Sequence, residues 1–193
     1  NRLICAVADC TGHGVPGAVM SLLGVTMLGE VAKIASEANP ACMLDSLNQQ
    51  VLTQLSGDDT EETIKHGMDI SLIAINKTTD QLEYAGAHNS VYIIRRKELI
   101  ELKADKTGIG TNKKNNTSFL NHSYDLEKGD MIYLFTDGFP DQLGGPQRKK
   151  FFYPPFKELL IKLSVLDMEA QLTKLNEALN LQQKSGQKVK LHF

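Results

Sequence analysis

Ala8-Asp9-Cys10-Thr11-Gly12-His13-Gly14-Val15-Pro16-Gly17 follows a wholly apolar run, Leu3-Ile4-Cys5-Ala6-Val7-Ala8, and leads into a long stretch of helical periodicity. The apolar run reads as a buried strand over residues 3–9 that delivers a carboxylate into a glycine-rich loop. An uncompensated buried charge costs several kcal/mol, so Asp9 requires a metal ion, a cationic partner or a helix N-terminus beside it.

Outward from this loop, Val15 to Ala35 reads as a helix, with Pro16 in the first turn, where a missing N–H costs nothing. Asn39-Pro40 ends it. Ala41 to Leu55 is predicted as a second helix, with Met43, Leu47, Val51 and Leu55 on one face. An acidic loop, Gly57-Asp58-Asp59-Thr60-Glu61-Glu62, separates it from strands at Ile70–Ile75 and Leu82–Gly86. Val91–Ile94 and Leu99–Leu102 flank the charged turn Arg95-Arg96-Lys97-Glu98 as a hairpin. A polar loop over 106–118 precedes strands at Phe119–Leu126 and Met131–Phe135, joined through Lys128-Gly129-Asp130. Helical periodicity returns at Phe156–Leu163 and Met168–Leu181. Meandering strands with grouped helices predict an α+β fold, helices on largely antiparallel sheets.

The length of 193 residues suits one domain, 1–193, with a core of its own. A formal net charge of −2 supplies no basic field for nucleic acid. No apolar run approaches the roughly 20 residues that span a bilayer. Three cysteines without metal-ligand spacing, Cys5, Cys10 and Cys42, fit a reducing, cytoplasmic setting. Asn1-Arg2 runs directly into a strand, and the tail from Gln182 to Phe193 is polar and basic with little to bury. Both ends lead us to expect a fragment.

Four carboxylates stand where strands meet loops: Asp9, Asp69, Asp137 and Asp141. Hard divalent ions such as Mg²⁺ or Mn²⁺ take oxygen ligands of this kind together with water. Each aspartate taken alone reads first as a turn cap, since Cys10-Thr11-Gly12 and Thr136-Asp137-Gly138 are both turn-forming. Two of them at the ends of wholly apolar strands, each followed by a glycine-containing loop, favour a site.

The stretch Ala8–Ala18 resembles the signature of the SpoIIE-like branch of bacterial metal-dependent serine/threonine phosphatases, in the protein phosphatase 2C superfamily. Three further motifs follow in that family's order: Gly67-Met68-Asp69-Ile70-Ser71-Leu72, Tyr84-Ala85-Gly86-Ala87-His88-Asn89, and Phe135-Thr136-Asp137-Gly138-Phe139-Pro140-Asp141-Gln142. The resemblance spans residues from about 3 to about 180. It implies an α-β-β-α sandwich with two Mn²⁺ or Mg²⁺ ions per site. Asp9 would bridge the ions beside the Cys10 carbonyl, Asp137 would hold the second, and Asp69 and Asp141 would fall where relatives keep a weaker third. Metal-activated water would then attack phosphoserine or phosphothreonine in line. The substrate implied is a phosphoprotein, in this family often an anti-sigma-factor antagonist, with a sensor domain upstream.

Two family motifs find no counterpart: an upstream Gly-Asp-Phe-type strand and a closing Asp-Asp motif, where Gly186-Gln187-Lys188-Val189-Lys190 stands instead. Two dications about 4 Å apart repel by roughly 16 kcal/mol at an effective dielectric of ~20. A site short of acids should therefore hold one ion well at most. This makes a catalytically impaired phosphatase, acting as a regulatory binding module, the alternative to an enzyme. Gly12-x-Gly14-x-x-Gly17 also satisfies a dinucleotide-binding pattern, a more distant alternative, because a second helix follows where a parallel strand should.

Gly12, His13 and Gly14 either approach a phosphate through the helix N-terminus or shape the loop. His88 reads as a structural hydrogen-bonding residue, and His66, His122 and His192 as surface or loop positions. Met20, Leu23 and Met27 read as core. Arg95-Arg96-Lys97 and Arg148-Lys149-Lys150 read as solvated turns, the second with a minor role in recruiting a phosphoprotein. Lys113-Lys114-Asn115-Asn116 reads as a loop tip.

Overall fold

A computed structural model describes residues 1–12, 14–34, 37–55, 67–110, 118–144 and 149–184. The expectations for His13, the acidic loop, His66, the 113–116 tip, Arg148 and the segment from 185 onward, His192 included, lie outside these residues. The chain forms two compact units: residues 1–92, 101–128 and 133–136, and residues 93–100, 129–132 and 137–193.

The first unit is built on an antiparallel sheet of order β1-β2-β3-β6, formed by β1 (Arg2–Cys10), β2 (Met68–Asn76), β3 (Gln81–Ala87) and β6 (His122–Asp125). Helices α1 (Gly14–Ile34) and α2 (Pro40–Leu55) lie between β1 and β2 in sequence. Side chains alternate across a strand, and one face of the sheet (Ile4, Ala6 and Cys10 of β1, Met68, Ile70 and Leu72 of β2, Ala85 and Ala87 of β3) meets the helices. There it joins Met20, Met27, Val31, Met43, Leu44, Leu47 and Val51 in one core. Of the expected core positions on α1 and α2, Met20, Met27, Met43, Leu47 and Val51 are thus inside and Leu23 is partly buried against them, while the Leu55 side chain lies outside what is described. The opposite face of α1 carries Val15, Val19, Leu22 and Val25, all exposed.

Asn39 accounts for the break between the helices. Its Oδ1 accepts from the Cys42 N–H at 2.9 Å, an N-cap with Pro40 as the first helical residue.

β1 departs from expectation. It is an edge strand of its sheet and only half-buried, with Leu3 exposed, because β2 is its sole partner among the described residues. Its apolar run does not mean full burial, and Asp9 near its end is exposed, so the cost of a buried charge does not apply to it. The predicted strand over 119–126 is also shorter, starting at His122. Side-chain carboxylates hold the preceding residues out of the ladder: Asp45 accepts from the Phe119 N–H, and Asp105 from the Leu120 N–H.

Strands β4 (Val91–Arg95), β5 (Glu98–Leu102) and β7 (Met131–Tyr133) form a three-stranded sheet of order β5-β4-β7. The expected hairpin is present, its turn at Arg96 and Lys97 having φ of 51° and 69°, the left-handed pair that fits two-residue hairpins. Arg95 grips Asp130 with two hydrogen bonds, 2.9 and 2.7 Å.

In the second unit the acidic turn at 137–141 runs into a short ribbon, β8 (Leu143–Gly144) and β9 (Lys149–Lys150), then α3 (Tyr153–Leu163) and α4 (Met168–Lys184). The ribbon is a correction: Lys149 and Lys150 are strand residues, not a solvated turn. Residues 182–184, read as part of an unpacked tail, extend α4. Gln182 donates to the carbonyls of Gln142 and Lys149, and a Cβ on Gly144 would collide with the Gln182 backbone. Phe139 meets Phe151 edge to face and Phe156 at a tilt, ring centroids 5.3 and 4.8 Å apart.

Candidate functional site

The β1–β2 register places Asp9 directly opposite Asp69. Alternation puts both on the face turned away from α1 and α2, since their neighbours Cys10 and Met68 face the helices. Directly opposed side chains on antiparallel strands have Cβ atoms about 4.5–5.5 Å apart, and like charges so placed repel. The sequence contains both aspartates but not their opposition, which depends on how β2 returns along β1 after two helices and a loop.

Backbone around the pair is closely fitted. Thr11 donates to the Gly67 carbonyl at 2.8 Å, tying the glycine loop to the entry of β2. Met68 and Ile109 exchange N–H···O bonds of 3.1 and 2.9 Å, which sets Gly108 beside Asp69. A Cβ at Gly108 would lie 3.3 Å from Asp69 Oδ1 and 3.5 Å from the His88 ring, so its absence leaves the carboxylate room. Gly12 has φ of 112° and Gly14 of 67°, the region that glycine adopts without strain. A Cβ at Gly17 would meet the Gly12 carbonyl oxygen at 2.8 Å. Gly12 therefore lies tightly against Gly17 in the first turn of α1.

The same sheet face carries a polar knot. Ser71 Oγ and the Tyr84 hydroxyl both donate to the Asn89 carbonyl, at 2.8 and 2.7 Å. To reach it the hydroxyl crosses Gly86, where any Cβ would strike Tyr84 and would lie 2.6 Å from the Asn89 oxygen. Burial first, then the charges of Asp105 and Glu101, pushes the Tyr84 phenol far above its usual range. His88 sits at φ 61° with its N–H donated to the Asp105 carbonyl, and its side chain is exposed. The Tyr84–Asn89 motif is a folded turn whose signal, Gly two residues after a buried Tyr, is visible in sequence only once the hydroxyl's target is known.

Asp137 and Asp141 lie together on one turn of the second unit, where Asp141 donates its N–H to the Asp137 carbonyl at 2.8 Å. The Asp141 carboxylate is ion-paired to Lys150 at 2.5 Å, a partner that sequence reasoning missed. Its hydrogen bond to Asp141, together with the charges of Asp141, Asp137 and Tyr153, raises the Lys150 ammonium above its ordinary range. Among the described residues no three His, Cys, Asp or Glu side chains gather as a metal-binding group.

The stage II sporulation protein E (SpoIIE) family model matches residues 1–188. The chain belongs to the SpoIIE family. Its fold is that of the protein phosphatase 2C domains. The SiaA-PP2C domain of Pseudomonas aeruginosa is similar over 94% of this chain and 73% of its own, with 28% identity and a TM-score of 0.80. The S. agalactiae serine/threonine phosphatase aligns over 93% of this chain and 81% of its own, with 16% identity and a TM-score of 0.65. RsbX, solved in complex with magnesium, aligns over 95% and 75%, with 18% identity and a TM-score of 0.62. No curated protein matches the chain. The SpoIIE topology also disposes of the dinucleotide reading: β1 is followed by two helices and an antiparallel partner, whereas a nucleotide crevice needs a parallel βαβ crossover.

Proposed function

We propose that this SpoIIE-family chain is a metal-dependent serine/threonine protein phosphatase domain acting on phosphoserine or phosphothreonine of a bacterial regulatory protein. The observation that carries the proposal is the opposition of Asp9 and Asp69. Two carboxylates set against each other on one sheet face concentrate negative charge, which a cation between them would offset. Their donors are hard oxygens, Gly108 leaves space at Asp69 Oδ1, and one or two carboxylates completed by water suit Mg²⁺ or Mn²⁺. The pair would hold a single divalent ion, and the family resemblance adds the Cys10 carbonyl as its neighbour. The assignment of Asp137 to the same chemistry rests on its motif.

A divalent ion held there would supply Lewis-acid polarisation of a phosphoryl oxygen and a solvent nucleophile at neutral pH. The chain's own part is to bind and orient. Asp9 and Asp69 fix the position of positive charge. The first turn of α1, against which Gly12 packs, follows Asp9 closely in sequence, and the amides of a helix's first turn suit a phosphate. A cytoplasmic setting, an anti-sigma-factor antagonist as substrate and an upstream sensor domain complete the proposal, and the family resemblance supports them. Among the described residues no helix is long and apolar enough to cross a membrane.

Hydrolysis of 4-nitrophenyl phosphate and of a phosphothreonine peptide tests the reading. Turnover should require Mn²⁺ or Mg²⁺ and fall at least about 100-fold in Asp9→Asn and in Asp69→Asn. Turnover indifferent to metal or to Asp9 would refute it. The ion pair on Asp141 favours a second reading, a regulatory module that binds phosphoprotein without hydrolysing it. Phosphopeptide binding with no metal-dependent turnover is its signature.

A further inference from the structure

Asp141 belongs to the acidic turn that the proposed function places in a metal-dependent enzyme, and on that reading a divalent ion is its expected partner. The structure gives it a lysine. The pairing is built into the backbone. Phe152 donates to the Pro140 carbonyl at 2.7 Å and Phe151 to the Gln142 carbonyl at 3.0 Å, so the returning chain is bonded on both sides of Asp141. The ribbon register sets Lys150 opposite Leu143. Gln182 of α4 ties down both arms through Gln142 and Lys149, and the Phe139–Phe151–Phe156 ring cluster closes the base. Most surface ion pairs join two freely moving side chains and contribute little. Here the two Cα positions are fixed before the side chains meet.

We infer that Lys150 is the resident cation of Asp141, a tethered ammonium that occupies the carboxylate and keeps a divalent ion from binding there. A cation on Asp141 would have to displace the ammonium or stand beside it, and like charges at such separations repel. Asp137, whose charge also acts on Lys150, is the neighbouring acid that would feel the exchange. The lysine would thus limit the number of ions at this turn. This is a role for a side chain that the charge run around 148–150 does not announce.

The experiment counts Mn²⁺ bound by the full chain, by calorimetric titration and by the electron-spin resonance of free Mn²⁺. Lys150→Gln should gain one Mn²⁺ equivalent at least tenfold tighter than any Asp141-dependent binding in the wild type. Lys150→Gln/Asp141→Asn should lose it again. Lys150→Arg and Lys149→Gln should match the wild type, and Asp141→Asn alone should leave the wild-type isotherm unchanged. The inference is overturned if Lys150→Gln binds Mn²⁺ as the wild type does, if Lys149→Gln gains the same site, or if Asp141→Asn removes an ion from the wild type. A wild type that binds no Mn²⁺ would refute the proposed function, and the Lys150→Gln comparison would still decide this inference. Circular dichroism of each variant guards against unfolding, and Lys150 is half exposed, so its replacement opens no cavity.

Discussion

Asp9 and Tyr84 occupy the same sheet face and meet opposite electrostatic demands. Asp9, opposed to Asp69, stands at an exposed strand end where the proposed cation would bind, whereas Tyr84 is buried in a form that resists ionising. The folded chain keeps the Tyr84 proton at pH values where the unfolded chain gives it up. Stability linked to this group is therefore whole below about pH 10 and is lost as pH rises beyond it. Tyr84→Phe should cost about 1 kcal/mol at neutral pH through the lost hydrogen bond to Asn89, with Ser71 still holding that carbonyl. It should also flatten the alkaline arm of the stability curve, which urea unfolding between pH 8 and 11 would measure. Single acids at strand ends were legible in the sequence as chemistry-bearing residues. Their partners were not: the Asp9–Asp69 pair depends on register, and the Asp141–Lys150 pair on a ribbon.

Elements were legible in proportion to the length of their pattern. The faces of α1 and α2 repeat over several turns, so their cores and ends were readable, down to the Asn39-Pro40 punctuation. Asn39→Ala should lower stability by about 1 kcal/mol, and Asn39→Asp should restore most of it, because a side-chain oxygen at the N-cap is what the Cys42 N–H requires. Thermal melts of the two variants check this. β8 and β9 have two residues each and no period to read. β6 is shorter than its composition suggests, because Phe119 and Leu120 have strand-forming side chains while their N–H groups are taken by Asp45 and Asp105. β1 misled in the other direction: unbroken apolarity suggested burial on both faces, and an edge position leaves it half covered.

At the scale of the whole molecule, the order of four motifs along the chain carried the family, and with it the fold, further than any single element did. It could not show that Asp9 and Asp69 belong to one compact unit and Asp137 and Asp141 to the other. A cation held by Asp9 and Asp69 should stabilise the first unit by mass action. At a hundredfold excess over its dissociation constant, Mn²⁺ should add about 2.7 kcal/mol. The melting temperature should rise with Mn²⁺, return on adding a chelator, and stay flat in Asp9→Asn. A rise that Asp9→Asn retains would place the ion elsewhere.

The crossing of Tyr84 over Gly86 also governs how this sequence can drift. Position 86 is closed from two sides, by a side chain and by the Asn89 backbone oxygen at 2.6 Å from any new Cβ. Shortening Tyr84 removes one obstacle and leaves the other, so no single neighbouring substitution opens the way for a larger residue. Tyr84 can change to phenylalanine by itself, whereas Gly86 can change only with a new course of the chain through 84–89. Mutational paths through this turn should therefore show strong epistasis, with glycine at 86 outlasting the tyrosine that first required it.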